Sequence, residues 1–90
     1  MNAKTKRVGF IGAGNMATAL IKGIINSGLY SPDMINAYDN DTEKLKSIYE
    51  RYHVEGRQSN SDLVKSCNII ILAVKPQVMN AVLDEIKCKI

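Results

Sequence analysis

Tryptophan is absent from this 90-residue chain, and histidine, phenylalanine, cysteine and proline number one, one, two and two. Each scarcity removes a class of protein. One histidine, His53, and two cysteines, Cys67 and Cys88, without zinc-type spacing or a neighbouring histidine, leave no donor set for a metal centre. Two thiols make no disulfide framework, and free thiols suit a reducing compartment. Long apolar runs are missing too. The longest, Ile69 to Val74, has strand length and falls far short of the roughly 20 residues that span a bilayer. The basic start, Met1 to Arg7, leads into a strand-like run ending in glycines, not into the apolar stretch and cleavage site of a signal peptide. The expected location is therefore cytoplasmic. Nor is there an excess of one charge. The net charge of +3 comes from 12 basic and 9 acidic residues, scattered except at Lys4, Lys6 and Arg7. Without a stripe of cations and interleaved aromatics, neither nucleic acid nor a membrane is expected as partner.

What remains is ordinary for one small globular domain: 46% apolar and 23% charged residues. Strand-like runs alternate with helical patterns along it. Arg7 to Ile11 reads as a first strand, followed by a glycine turn and a helix that ends near Ser27, with Gly28 as its stop. Met34 to Tyr38 reads as a second strand. The polar turn Asp39 to Thr42 then caps a helix carrying Leu45, Ile48, Tyr49 and Tyr52 on one face. His53 to Glu55 is a weak third strand, and Asn60 to Ser66 a short helix capped by Asn60 or Ser61. Asn68 to Val74 is the strongest strand, apolar without alternation, as a parallel strand covered on both faces should be. Pro76 opens the last helix, where Met79, Val82, Leu83 and Ile86 repeat the helical spacing. The alternation predicts an α/β fold with a parallel sheet and right-handed crossovers, and the glycine turn after the first strand makes it a Rossmann-type sheet with strand order 3-2-1-4. A full doubly wound sheet would continue, so the 90 residues read as a domain truncated before its remaining strands.

The chemistry concentrates in the turn Gly12-Ala13-Gly14-Asn15-Met16-Ala17. Gly12 permits a tight exit from the first strand, Gly14 lets a pyrophosphate approach the backbone, and Ala17 keeps helix and strand close. N–H groups near Asn15 and Met16 then face an anion at the helix N-terminus. Asp39, at the expected end of the second strand, suits the ribose hydroxyls of the adenosine half. Its charge opposes a 2′-phosphate and favours NADH, with Asn40 and Lys44 as the groups that would accommodate the phosphate instead. The bland alternatives are a ligand-free tight turn and an aspartate that serves only its own turn.

Two strings resemble a known family. Phe10-Ile11-Gly12-Ala13-Gly14-Asn15-Met16-Ala17 is similar to the opening of pyrroline-5-carboxylate reductases, and Leu72-Ala73-Val74-Lys75-Pro76 to their second signature. The resemblance covers essentially the whole chain. It implies the NAD(P)-binding N-terminal domain, residues 1–90, of an enzyme that reduces 1-pyrroline-5-carboxylate to L-proline with NADP or NAD as cofactor. It also implies site roles. Ile11, Gly12, Ala13, Gly14, Asn15 and Met16 would hold the pyrophosphate, Asp39 the ribose, and Asn60 the nucleotide. Ala73, Val74, Lys75 and Pro76 would pass under the nicotinamide ribose through their backbone, with Lys75 positioning rather than catalytic. Family members that prefer NADP often carry an Asn-Arg pair where this chain has Asp39 and Asn40. A helical C-terminal domain, which in the family supplies the dimer interface and most of the substrate pocket, would lie beyond Ile90 in a homo-oligomeric parent. The fragment alone is expected to be inactive and to self-associate through the Ile69 to Val74 edge. Competing readings are a related reductase or dehydrogenase, acting on 2-hydroxy acids or F420, and a non-enzymatic dinucleotide sensor. His53 and the tyrosines carry no chemistry in this reading, and Met16 and Met79 pack below the glycine turn and on the sheet.

Overall fold

A computed structural model describes residues 6–87. Four parallel strands, β1 (Val8–Ile11), β2 (Ile35–Tyr38), β3 (Glu55–Gly56) and β4 (Ile69–Leu72), form one sheet in the order β3-β2-β1-β4. Helices α1 (Asn15–Ser27), α2 (Thr42–Tyr52), α3 (Asn60–Ser66) and α4 (Pro76–Ile86) connect and follow them. No helix among the described residues is long and apolar enough to cross a membrane.

The two faces of the sheet carry two cores. Val8 and Phe10 of β1 pack with Ala17 and Ile21 of α1 and Ile48 of α2. Ile11 packs on the opposite side with Leu63 and Val64 of α3 and Val82 and Ile86 of α4. Alternate residues of one strand thus feed both layers, which explains why β1 is apolar without a polar face. Register is fixed at the centre, where Val8 pairs with Ile35 on one side and Ile69 on the other.

Several local expectations are corrected. Met34 belongs to a 3-10 turn (Pro32–Met34), not to β2. His53 is not in β3: at φ 61° it takes the left-handed position that ends α2, and its N–H donates to Tyr49 O at 2.8 Å. The ring of Tyr49 stands edge-on to its imidazole at 6.2 Å, which helps hold a position glycine more often fills. The cap of α3 is Ser59, whose hydroxyl accepts the Asp62 N–H at 3.0 Å, and not Asn60 or Ser61. The fourth strand is shorter than Asn68 to Val74 and is not covered on both faces; Ile69 is 37% exposed and its neighbours are half-buried. Helix α4 covers it incompletely, since Leu83 faces solvent while Val82 and Ile86 are buried. Tyr49 is also largely exposed, so the inner face of α2 is Leu45, Ile48 and Tyr52. Met16 does not pack below the glycine turn: it is 55% exposed.

Candidate functional site

The carboxyl ends of β1, β2 and β4 open onto one cleft of about 930 Å³. Its wall includes Ile11 to Met16, Tyr38 to Asn40, Asn60 and Ala73 to Lys75. Parallel sheets bind ligands at this edge, where the chain leaves adjacent strands in different directions. Pro76, at the first position of α4, is not part of the wall.

The rim is tied together by hydrogen bonds between turns. Gly12 N–H donates to Tyr38 O at 2.8 Å, and Ala73 N–H to Ile11 O at 2.8 Å. Asp39 bridges two loops: one carboxylate oxygen accepts the Ala13 N–H at 2.9 Å and the other the Asp41 N–H at 2.8 Å. The carboxylate expected at the ribose therefore also fastens the glycine turn to the β2–α2 turn.

The two glycines of the turn serve different ends. Gly12 has φ 106°, a conformation side chains rarely adopt, and an added Cβ would collide with the Ala73 carbonyl. Gly14 has φ −86°, open to any residue, and its nearest neighbour to an added Cβ is Lys44 Nζ at 3.9 Å. Neither backbone nor packing requires glycine there. What a side chain would occupy is the cleft itself. Helix α1 starts at this point without a side-chain cap, and Asn15 and Met16 N–H find no acceptor among the described residues. Ala17 is fully buried, as close contact of helix and strand demands. A diphosphate has the shape and charge for that space: bare backbone to approach, free donors, and the positive end of α1.

Across the cleft, Asn60 is buried and its Nδ2 donates to Glu85 Oε1 on α4 at 3.1 Å. Its Oδ1 is buried with no partner among the described residues. A buried acceptor left unpaired costs about 1–3 kcal/mol, which a donor entering the cleft would relieve. The loop before Asn60 is stitched by Asp62, which accepts two bonds from the Arg57 guanidinium, at 3.0 and 3.1 Å, and one from Gln58 N–H at 3.2 Å. The Arg57 bonds foremost, then the Gln58 N–H, hold the Asp62 carboxyl below its ordinary range. The same pairing raises Arg57. Under the sheet, burial pushes the Cys67 thiol up.

All the expected site residues except Pro76 meet in this cleft. Lys44, Ser47 and Arg51 of α2 and Glu85 of α4 also line it; of these, sequence reasoning had placed only Lys44 near the cofactor. On sequence alone Ser47 and Arg51 look like any solvated helix face; only their spacing of three and seven residues from Lys44 hinted at a common side.

The family described as NADP oxidoreductase, coenzyme F420-dependent, matches residues 7–90. The chain belongs to that family. It is 37% identical over 87 residues to the pyrroline-5-carboxylate reductase of Methanosarcina acetivorans, covering 97% of this chain and 32% of that protein. With the Escherichia coli enzyme of the same name it shares 36% over 81 residues, 90% of this chain and 30% of that one. The structure of a pyrroline-5-carboxylate reductase from Coxiella burnetii superposes with a TM-score of 0.86 at 32% identity, covering 94% of this chain and 31% of the other. The Plasmodium falciparum pyrroline carboxylate reductase, solved with NADP bound, gives 0.81 at 29% identity, with 96% and 30% covered. The chain thus spans about a third of the length of the curated relatives it matches, and its Rossmann-like sheet corresponds to their N-terminal part.

Proposed function

We propose that the chain is the cofactor-binding part of a pyrroline-5-carboxylate reductase and holds NADPH or NADH in the cleft at the strand ends. The observation that carries this reading is Gly14: a glycine that its own fold does not need, facing a space lined by unpartnered N–H groups. The strings around Gly12 and Lys75 and the relatives' shared name support the choice of reaction.

In this reading Ile11 to Met16 receive the pyrophosphate, with Asn15 and Met16 N–H donating to it. Asp39 holds the turn in shape from behind and borders the adenosine ribose. Asn60, fixed by Glu85, offers its Oδ1 to the nucleotide. Ala73, Val74 and Lys75 support the nicotinamide side through their backbone, joined by Pro76, which sets the direction of the exit from β4. A cofactor held there would supply a hydride for the imine carbon of 1-pyrroline-5-carboxylate, and with a proton taken up at the imine nitrogen the product would be proline. No residue of this chain is assigned to proton transfer. The substrate pocket and the contacts of a homo-oligomer belong to the remainder of the parent enzyme, and the cytoplasm is its compartment.

Calorimetric titration with NADPH and NADH tests the site. The wild-type chain binds at least one of them, and Gly14→Val abolishes binding while circular dichroism stays that of a folded chain. The fold loses no more than about 1 kcal/mol, the value of a favoured cap residue. Unchanged affinity in the folded variant sinks the assignment. The 90 residues alone form no proline at an enzymatic rate, because hydride transfer needs the acceptor held within roughly 3–3.5 Å of the donor. Turnover by the purified chain would refute the division of labour proposed here.

A further inference from the structure

One face of α4 forms a wall of the cleft, where Val78, Ala81, Val82 and Glu85 recur at helical spacing. The first three are short and apolar, and Val78 presents its side chain to solvent. The fourth is a carboxylate. The strip starts near the exit of β4 and ends at Asn60, whose Nδ2 donates to Glu85 Oε1 at 3.1 Å. Asn60 opens α3, the helix that follows β3, and β3 pairs with β2. In this architecture the adenosine half of a dinucleotide lies at the end of the second strand. The polar end of the strip is therefore on the adenosine side.

Glu85 is poorly placed for a purely structural residue. It is exposed in the last turn of α4, where the helix dipole disfavours a negative charge and no basic residue of that turn offsets it. Its neighbour Asp84 has a partner in Lys87 at 3.7 Å. Among the described residues Glu85 has no ion pair, and its one hydrogen bond is that from Asn60. A carboxylate can only accept, so it turns the amide nitrogen of Asn60 toward itself. The Asn60 Oδ1 is left buried without a partner. The corner thus offers acceptors alone: Asn60 Oδ1 and the second oxygen of Glu85.

Accepting the dinucleotide reading above, we propose that Glu85 and Asn60 recognise the 6-amino group of the cofactor's adenine, with the α4 strip as the apolar surface beside the base. An amino group carries two N–H donors, one for each acceptor of the corner. The short side chains of Val78, Ala81 and Val82 suit a planar ring. A 6-oxo base such as hypoxanthine would turn a carbonyl toward the same acceptors, and a buried acceptor left unpaired is what rejects a wrong ligand. The pair makes the chain select adenine dinucleotides over their 6-oxo counterparts.

The test titrates the wild-type chain, Glu85→Met and Glu85→Gln with NADH and NADPH, with their hypoxanthine counterparts, and with 5′-AMP and 5′-IMP. Wild type prefers the adenine form of each pair by about tenfold or more, the scale of hydrogen bonds to a charged acceptor. Glu85→Met removes most of that preference while circular dichroism stays that of a folded chain. Glu85→Gln, whose amide can donate to a carbonyl, binds the hypoxanthine forms more tightly than wild type does. A wild type that does not distinguish the two bases would overturn the proposal. So would a Glu85→Met chain that weakens both bases equally, since the role of Glu85 would then be structural. A further probe, 3-acetylpyridine adenine dinucleotide, keeps the adenine but lacks the carboxamide N–H of nicotinamide. The loss in Glu85→Met persists with it; disappearance of that loss would move the pair to the nicotinamide end and overturn the assignment. Failure of the wild-type chain to bind any dinucleotide would instead overturn the reading of the cleft.

Discussion

A methyl group added at Gly12 would stand 2.9 Å from the carbonyl carbon of Ala73, on a backbone with φ 106°. One added at Gly14 would meet Lys44 Nζ at 3.9 Å and nothing nearer. Gly12→Ala therefore lowers stability by at least about 2 kcal/mol through strain and collision. Gly14→Ala costs no more than about 1 kcal/mol, the cap preference. Urea denaturation of the two variants measures this difference, and equal losses would show that the rim is looser than described. Asp39→Ala is a third case. It leaves Ala13 and Asp41 N–H without their acceptor and destabilises by about 1–2 kcal/mol. The glycine pattern and the acidic residue were legible in the sequence, because their spacing is set by chain geometry alone. That Asp39 holds the glycine turn was not, since the bond joins residues 26 positions apart. The expectation of NADH preference treated its carboxylate as free for a ribose, and two backbone donors change that premise.

Helix α3 shows how far local signals reach. Ser59, Asn60 and Ser61 are three consecutive good caps, and sequence alone does not choose among them. The choice falls on Ser59 because Asp62 N–H meets its hydroxyl while the Asp62 carboxylate is drawn back by Arg57. The weak third strand was misplaced for a similar reason. A histidine in the left-handed position gives none of the stop signal that Gly28 gives for α1. The Arg57–Asp62 pair carries a pH dependence whose sign is fixed. Asp62 titrates lower folded than unfolded, chiefly because Arg57 donates to it. Its stabilisation is complete above the ordinary carboxylate range, near pH 4, and is lost as pH falls through the depressed folded value. The gap in Tm between wild type and Arg57→Met should accordingly shrink as pH is lowered from about 6 to about 2.5. A gap that stays constant over that range would mean the pair contributes through packing alone. The effect is modest, because both side chains are 34% exposed and solvent screens them.

For the molecule as a whole, the alternation of apolar runs and helical patterns was enough to give a parallel α/β sheet, and the glycine turn after the first strand gave the strand order. Coverage was harder to read. Asn68 to Val74 read as covered on both faces, yet Ile69 is exposed and Ile70 to Leu72 are only half-buried. The expected edge is there, since β4 pairs only with β1 and its outer side has no neighbour among the described residues. Four consecutive aliphatic residues on an edge, with no charge or proline among them, invite pairing with another chain. Sedimentation of the 90-residue chain should show association that grows with concentration, and Ile69→Lys should suppress it. A monomer at every concentration with β4 open to solvent would overturn this expectation. The rim of the cleft, by contrast, is already closed within the chain, with Gly12, Ala13 and Ala73 N–H committed to Tyr38, Asp39 and Ile11. In deuterated water these three amides should exchange slowly whether or not a nucleotide is present. Protection gained on binding should appear instead at Asn15 and Met16, whose protons have no acceptor until an anion supplies one.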